Sequence, residues 1–240
     1  MRGLSGMALL AASATLQNTT AADDEAKARL SKRAMRLAQI AECSDERLRH
    51  LLAGLEVKED AFDPGEAGGI AFADSTSSWA TQEPSGDSRL SLKGEILSVP
   101  SELHKLLARP GKLTLEIDST GGSIVPALEI LSLIADRVSL VKINYALSAA
   151  AVIGICAPCR RIMSKTGRLM LHEPWLLTMG PAEVLRANAN ILEDTTSQLV
   201  TLVQKRTGLP RFACSKLFRC GQTWVRPEQA LELNLIDEIS

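Results

Sequence analysis

Three short stretches carry side chains whose types suit nucleophilic chemistry. In YALSAAAVIG (145–154) one hydroxyl, Ser148, stands among alanines and aliphatics with no charge nearby. Small neighbours leave room for a substrate backbone, and a Ser at the first turn of a helix has its hydroxyl beside unpaired N–H donors. The same residue also suits close helix packing, so this stretch alone leaves both roles open. In LTLEIDSTGGSIVPA (113–127) a strand ends in a turn that feeds a helix. Gly121 and Gly122 let the backbone bend sharply and come close to a bound group. The N–H groups at the start of the following helix suit a carbonyl oxygen or an oxyanion; a tight turn needing small residues is the alternative. In RLMLHEPW (168–175) His172 ends an apolar strand, while the other two histidines, His50 and His104, lie on charged helices and read as surface residues. A donor pair, a nucleophile and a base, in that order, are the parts of acyl transfer.

Cysteine offers a second chemistry. Cys156 and Cys159 form a CxxC, and Cys214 and Cys220 are the residues that would complete a four-thiolate site; Cys43 is the fifth. The second pair is spaced more widely than a zinc knuckle, and no thioredoxin-like context surrounds the first. A disulfide is the expectation for an exported chain and buried thiols for a cytoplasmic one.

These residues need elements to hold them. RLSLKGEIL alternates like a strand, and SELHKLLARPG reads as a helix with Ser101 as N-cap, stopped near Pro110. LTLEID is a strand, GGSIVPALEILSLIAD a helix, VSLVKINYAL a strand, SAAAVIGICA a short buried helix, and RRIMSKTGRLMLHEP a strand flanked by loops. PAEVLRANANILEDTTSQLVTLVQKRTG is a long amphipathic helix, and PEQALELNLIDEIS a helix followed by a terminal strand. Strands separated by helices argue for an α/β fold with a mainly parallel sheet. Residues 22–59 read as an amphipathic helical segment and 60–88, rich in Gly, Ser, Pro and Asp, as a linker, so the folded domain spans 89–240.

Composition narrows the classes. The 240 residues carry 27 basic and 28 acidic side chains, well mixed, for a net charge of -1. That is not a surface for tracking phosphates, which argues against nucleic acid as a partner. No apolar run is long enough to span a bilayer. Residues 1–21, with Arg2 and a weakly apolar stretch, fit a short export signal cleaved after Ala14 or Ala21, which would make the protein periplasmic; the alternative is a disordered leader on a cytoplasmic one.

Taken together, four motifs resemble the proteolytic subunit of the Clp protease family, including its phage head-maturation relatives. They are Ser119-Thr120-Gly121-Gly122-Ser123, Asn144-Tyr145-Ala146-Leu147-Ser148, His172-Glu173-Pro174 and Asn234-Leu235-Ile236-Asp237, with Thr207-Gly208 closing a long helix. The resemblance covers residues 89–240. It implies a ClpP/crotonase-like fold of repeated β-β-α units, with a mainly parallel sheet and a protruding handle helix. It implies a serine endopeptidase with Ser148 as nucleophile, His172 as general base, and the N–H groups of Gly122 and Ala149 as oxyanion donors. It further implies peptide or protein substrates, no cofactor and no metal. A homo-oligomeric ring packed through the helix from Pro181 to Arg206, and an ATP-dependent unfoldase as partner, follow from the same likeness.

Three positions depart from the family pattern. Thr120 replaces the Pro of the glycine turn, and Asn144 replaces a Gly. The third member of the catalytic set, an Asp two residues before an aromatic, falls on Gln222 when counted from Trp224 or from Asp237. Glu173 and Glu228 are carboxylates near enough in sequence to be substitutes. Gln222 is also the feature that favours a catalytically silent scaffold or regulatory subunit. An acyl-CoA enzyme of the crotonase type ranks last, since that fold relies on pocket carboxylates.

Overall fold

The computed structural model describes residues 45–58, 79–82, 86–219 and 221–240, with isolated positions between 28 and 38. The chain divides into two units, residues 1–39 and 40–240, and the second carries every element named below. The leader at 1–21 and most of the stretch read as a linker lie outside the described residues.

In chain order the elements are α1 (Asp45–Ala53), β1 (Glu56–Lys58), β2 (Trp79–Gln82), β3 (Ser88–Ile96), α2 (Ser101–Leu107), β4 (Leu113–Gly122), α3 (Ile124–Ile134) and β5 (Val138–Leu147). There follow α4 (Ala149–Cys156), β6 (Arg160–Leu171), α5 (Ala182–Thr207), α6 (Arg211–Arg219), β7 (Gln222–Val225), α7 (Pro227–Glu232) and β8 (Glu238–Ile239). All eight strands join one sheet in the order β1-β7-β6-β5-β4-β3-β2, with β8 added beside β6.

β3, β4, β5 and β6 pair in parallel, each crossing to the next through a helix, which is the arrangement the alternating pattern predicts. α4 explains the apolar run that follows β5: all eight of its residues are buried against β4, β5, β6, α3 and α5. The other face of the sheet is polar. Alternate residues of β3 and β4 are half-buried or exposed, and Glu116 pairs with both Arg89 at 3.5 Å and Lys142 at 3.7 Å across three strands. Parallel sheets are usually covered on both sides; here charge pairing across the strands takes the place of a second helical layer.

Several elements differ from the sequence expectation. Ser101 is not the cap of α2: Pro100 occupies that position, without a side-chain cap, and Ser101 is the first helical residue. β4 does not stop at Asp118 but continues through the glycine turn, because Ser119, Gly121 and Gly122 keep pairing with β3 past a bulge at Gly94/Glu95. α6 and β7 have no counterpart in the pattern analysis. α6 is only nine residues long, and β7 is too short for its alternation to register. α1 buries Leu48 and Leu52, with Leu55 just after it, in the same core as the sheet. β1 pairs antiparallel with β7, and β2 antiparallel with β3, so both edges of the sheet come from before residue 83.

α5 has two halves. Val184 and Ile191, on the first half, are 44% and 57% exposed, whereas Leu199, Val200 and Val203 on the second are buried. At 1.5 Å rise per residue a helix of this length extends about 39 Å, so its first half projects from the body as a handle. Among the described residues no helix is long and apolar enough to cross a membrane.

Candidate active site

Because β4, β5 and β6 run parallel, their carboxyl ends share one rim of the sheet, where open α/β sheets leave a crevice for ligands. Gly122 ends β4, Ser148 follows β5, and His172 follows β6. β7 runs the other way, so its first residue, Gln222, reaches the same rim.

Ser148 sits at the hinge between β5 and α4, with φ 55° and ψ −124°. A non-glycine residue at positive φ is strained by about 1–3 kcal/mol. The surroundings hold it there: its N–H donates to Met170 O at 2.7 Å, and its carbonyl accepts Ala151 N–H at 3.0 Å. The sharp turn presents Oγ to the side, 2.7 Å from His172 Nε2. Ala149 follows at the first position of α4, where N–H groups have no acceptor within the helix.

His172 is half-buried, and burial pushes its pKa below the ordinary imidazole value. The neutral ring is therefore favoured at neutral pH, and its Nε2 lies within hydrogen-bond reach of the Ser148 hydroxyl. The antiparallel ladder of β6 and β7 pairs Leu171 with Thr223 and Met170 with Trp224. The same register continued by one residue sets His172 opposite Gln222, on one face of the sheet. Among the described residues no hydrogen bond joins the Gln222 amide to the imidazole. Of the two candidate substitutes, Glu173 is paired with Arg219 at 3.6 Å, and Glu228 is exposed in the first turn of α7. His50 and His104 are exposed on α1 and α2.

The two glycines of the turn do different work. Gly121 has φ 95°, and a Cβ there would stand 2.4 Å from Leu147 O, 2.7 Å from Ser148 Cβ and 3.0 Å from Ala149 N. Only the missing side chain lets this backbone lie against the Ser148 hinge. Gly122 has φ 131°, and its Cβ would meet Ile96 N and O at the end of β3. Ser119 fixes the turn. Its buried hydroxyl donates to Gly94 O at 2.6 Å and accepts Gly121 N–H at 3.1 Å. Sequence reasoning assigned Ser119 no role, although a Ser two residues before a Gly is a recognisable turn signal.

The cysteines lie elsewhere. Cys156 and Cys214 are buried thiols whose pKa values burial pushes up to about 12 and about 11, so neither is a thiolate near neutral pH. Cys159 is half-buried in the turn that Arg206 clasps through the carbonyls of Ala157 and Cys159. Cys43 and Cys220 lie outside the described residues. Among the described residues no three His, Cys, Asp or Glu side chains come together as a metal would require.

This rim, on a mainly parallel α/β sheet with a projecting helix, is the kind of site on which a hydrolase is built. The family model for Clp protease matches residues 98–240, more than half of the chain, and the protein belongs to the Clp protease family. At that level it is a protease-type hydrolase acting on peptides or proteins. No curated protein matches the chain significantly.

Proposed function

We propose that the protein is a serine endopeptidase in which Ser148 and His172 carry the chemistry. The carrying observation is the 2.7 Å contact between Ser148 Oγ and His172 Nε2, made by a serine held at positive φ at the start of a helix. In the reaction, Oγ bonds to the carbonyl carbon of the scissile peptide as its proton passes to Nε2. The N–H groups of Gly122 and Ala149 are the proposed donors to the carbonyl oxygen, which becomes an oxyanion. Collapse breaks the C–N bond, Nε2 returns the proton to the leaving amine, and water then hydrolyses the acyl-Ser148 ester by the same route. Gln222 is the proposed third member by its register with β6, a neutral one that brings no charge to balance the imidazolium.

A neutral partner makes that imidazolium costly, which favours a slow or conditionally active enzyme. The extreme form of this reading is a silent scaffold subunit, and Gln222 is the observation behind it. The exposed apolar residues of the handle, with Leu177 and Met179 at 91% exposure just before it, support contact with further copies in a ring. An ATP-dependent unfoldase is the partner such a ring would take.

A fluorophosphonate probe tests the proposal. Wild type is expected to be labelled at Ser148, and Ser148→Ala and His172→Ala are expected to abolish labelling while leaving circular dichroism unchanged. A folded wild type that takes no label would overturn the hydrolase reading in favour of the scaffold.

A further inference from the structure

β7 is four residues long, and its pairing with β6 uses only Thr223, Trp224 and Val225. The residue opposite His172 is left out of that ladder. Gln222 takes its cross-strand partner from the other side: β1 pairs Lys58 with Gln222, Val57 with Thr223 and Glu56 with Trp224. Without β1, β7 would be an edge strand with Gln222 at its open end, where fraying is greatest.

The residues leading into β1 are firmly seated, while Glu56, Val57 and Lys58 themselves lie exposed. Leu48, Leu52 and Leu55 are at most 7% exposed. Gln229 Nε2 donates to Gly54 O at 2.8 Å, while its Oε1 accepts the N–H of Arg226 at the start of α7. Arg49 lies over the Phe212 ring at 5.8 Å, and Lys58 over the Trp224 ring at 5.4 Å. α1 and β1 are thus tied to α6, β7 and α7, the elements behind the third position of the site. α1 and β1 both lie before residue 98, outside the family-matched range, while the elements they hold lie inside it.

We infer that β1 is a positioning element of the active site: by pairing with β7 it holds Gln222 opposite His172. This rests on the serine-hydrolase reading for its catalytic consequence, though not for its geometry. A neutral amide attracts an imidazole only weakly, so its placement depends on the strand that carries it. The pairing from outside the common family domain supplies that rigidity.

The test is the double variant Glu56→Pro/Val57→Pro in the full chain. Successive N–H groups of a strand face opposite sides, so one of the two removed must point at β7. Lys58 is kept, and so are Glu173 and Arg219, which pair with each other at 3.6 Å. The control is Ala80→Pro/Thr81→Pro, which injures β2 at the far edge of the same sheet. Two readouts are taken: fluorophosphonate labelling of Ser148, and the His172 titration midpoint by NMR, assigned by comparison with His172→Ala.

In the β1 variant, labelling is expected to slow by about tenfold or more, as sub-ångström misplacement does. The His172 midpoint is expected to rise toward the ordinary imidazole value as the wall beside it opens. Losing Glu56 alone would push it the other way. The β2 control is expected to leave both readouts at their wild-type values. A folded β1 variant with wild-type midpoint and labelling would overturn the inference. If even wild type takes no label but the midpoint moves in the β1 variant only, the positioning role stands and the hydrolase reading falls.

Discussion

What the 2.7 Å contact between Ser148 and His172 can achieve depends on where the proton rests. Burial lowers the His172 pKa, so the imidazole stays neutral further into acid than a free one. Labelling of Ser148 needs that neutral form, and its rate is expected to rise through a midpoint below the ordinary histidine value and stay flat across neutral pH. Stability follows with the opposite cause. Between the lowered folded value and the ordinary unfolded one, the unfolded chain binds the proton first, so stability falls as pH drops through that window. Gln222→Asp should move both properties. A carboxylate opposite the imidazole stabilises its cation, shifting the rising limb to higher pH and raising the plateau rate, where losing such a group elsewhere has cost about 10⁴. A folded Gln222→Asp variant labelled no faster than wild type would remove Gln222 from the third position. Ser148 stood out in sequence as a candidate only in company with the glycine turn and His172. Its positive φ was not legible, since no local pattern specifies a strain that Met170 and Ala151 impose from either side.

At the scale of elements, the glycine turn is the most sensitive part. Gly121→Ala would place a methyl 2.4 Å from Leu147 O at a φ of 95°, so backbone must move. A cost of about 2–4 kcal/mol is expected in urea unfolding. Labelling should fall even where the variant is folded, because the displaced atoms are those of the Ser148 hinge; wild-type labelling would show that the hinge tolerates the shift. The strands and long helices were legible because their periods of two and 3.6 run over nine or more residues. α6, β7 and β1 were not, because short elements are chosen by what they pack against. The N-cap of α2 went wrong for a related reason: Pro100 already fixes an extended backbone there, leaving Ser101 to begin the helix. The apolar stripe of α5 was visible, but Val184 and Leu199 look alike in sequence and only the fold separates the exposed half from the buried one.

For the whole molecule, one buried ion pair ties the C-terminus to the centre of the sheet. Arg161, with no exposed side-chain surface, donates from Nε at 3.0 Å and Nη2 at 2.8 Å to Asp237, and its backbone N–H donates to the same carboxylate. Asp237→Ala strands that guanidinium and is expected to cost about 3–5 kcal/mol, read as a drop in Tm. Arg161→Met/Asp237→Leu, which removes both charges, should cost much less; equal losses would mean that the pair's worth lies in packing. Asp237 was a landmark in sequence, but its partner 76 residues earlier was not, since nothing local links β6 to the C-terminal strand. The pairing of β1 with β7 spans further still, with Gly54 and Gln229 175 positions apart. During synthesis β1 emerges before β7 and waits for its neighbour until everything between them has been made. Ser148 and His172 exist long before that, on a polypeptide whose third wall has yet to close. On the proposed reading, proteolytic competence would then wait for β7, a timing that would spare the protein and its unfinished copies from each other.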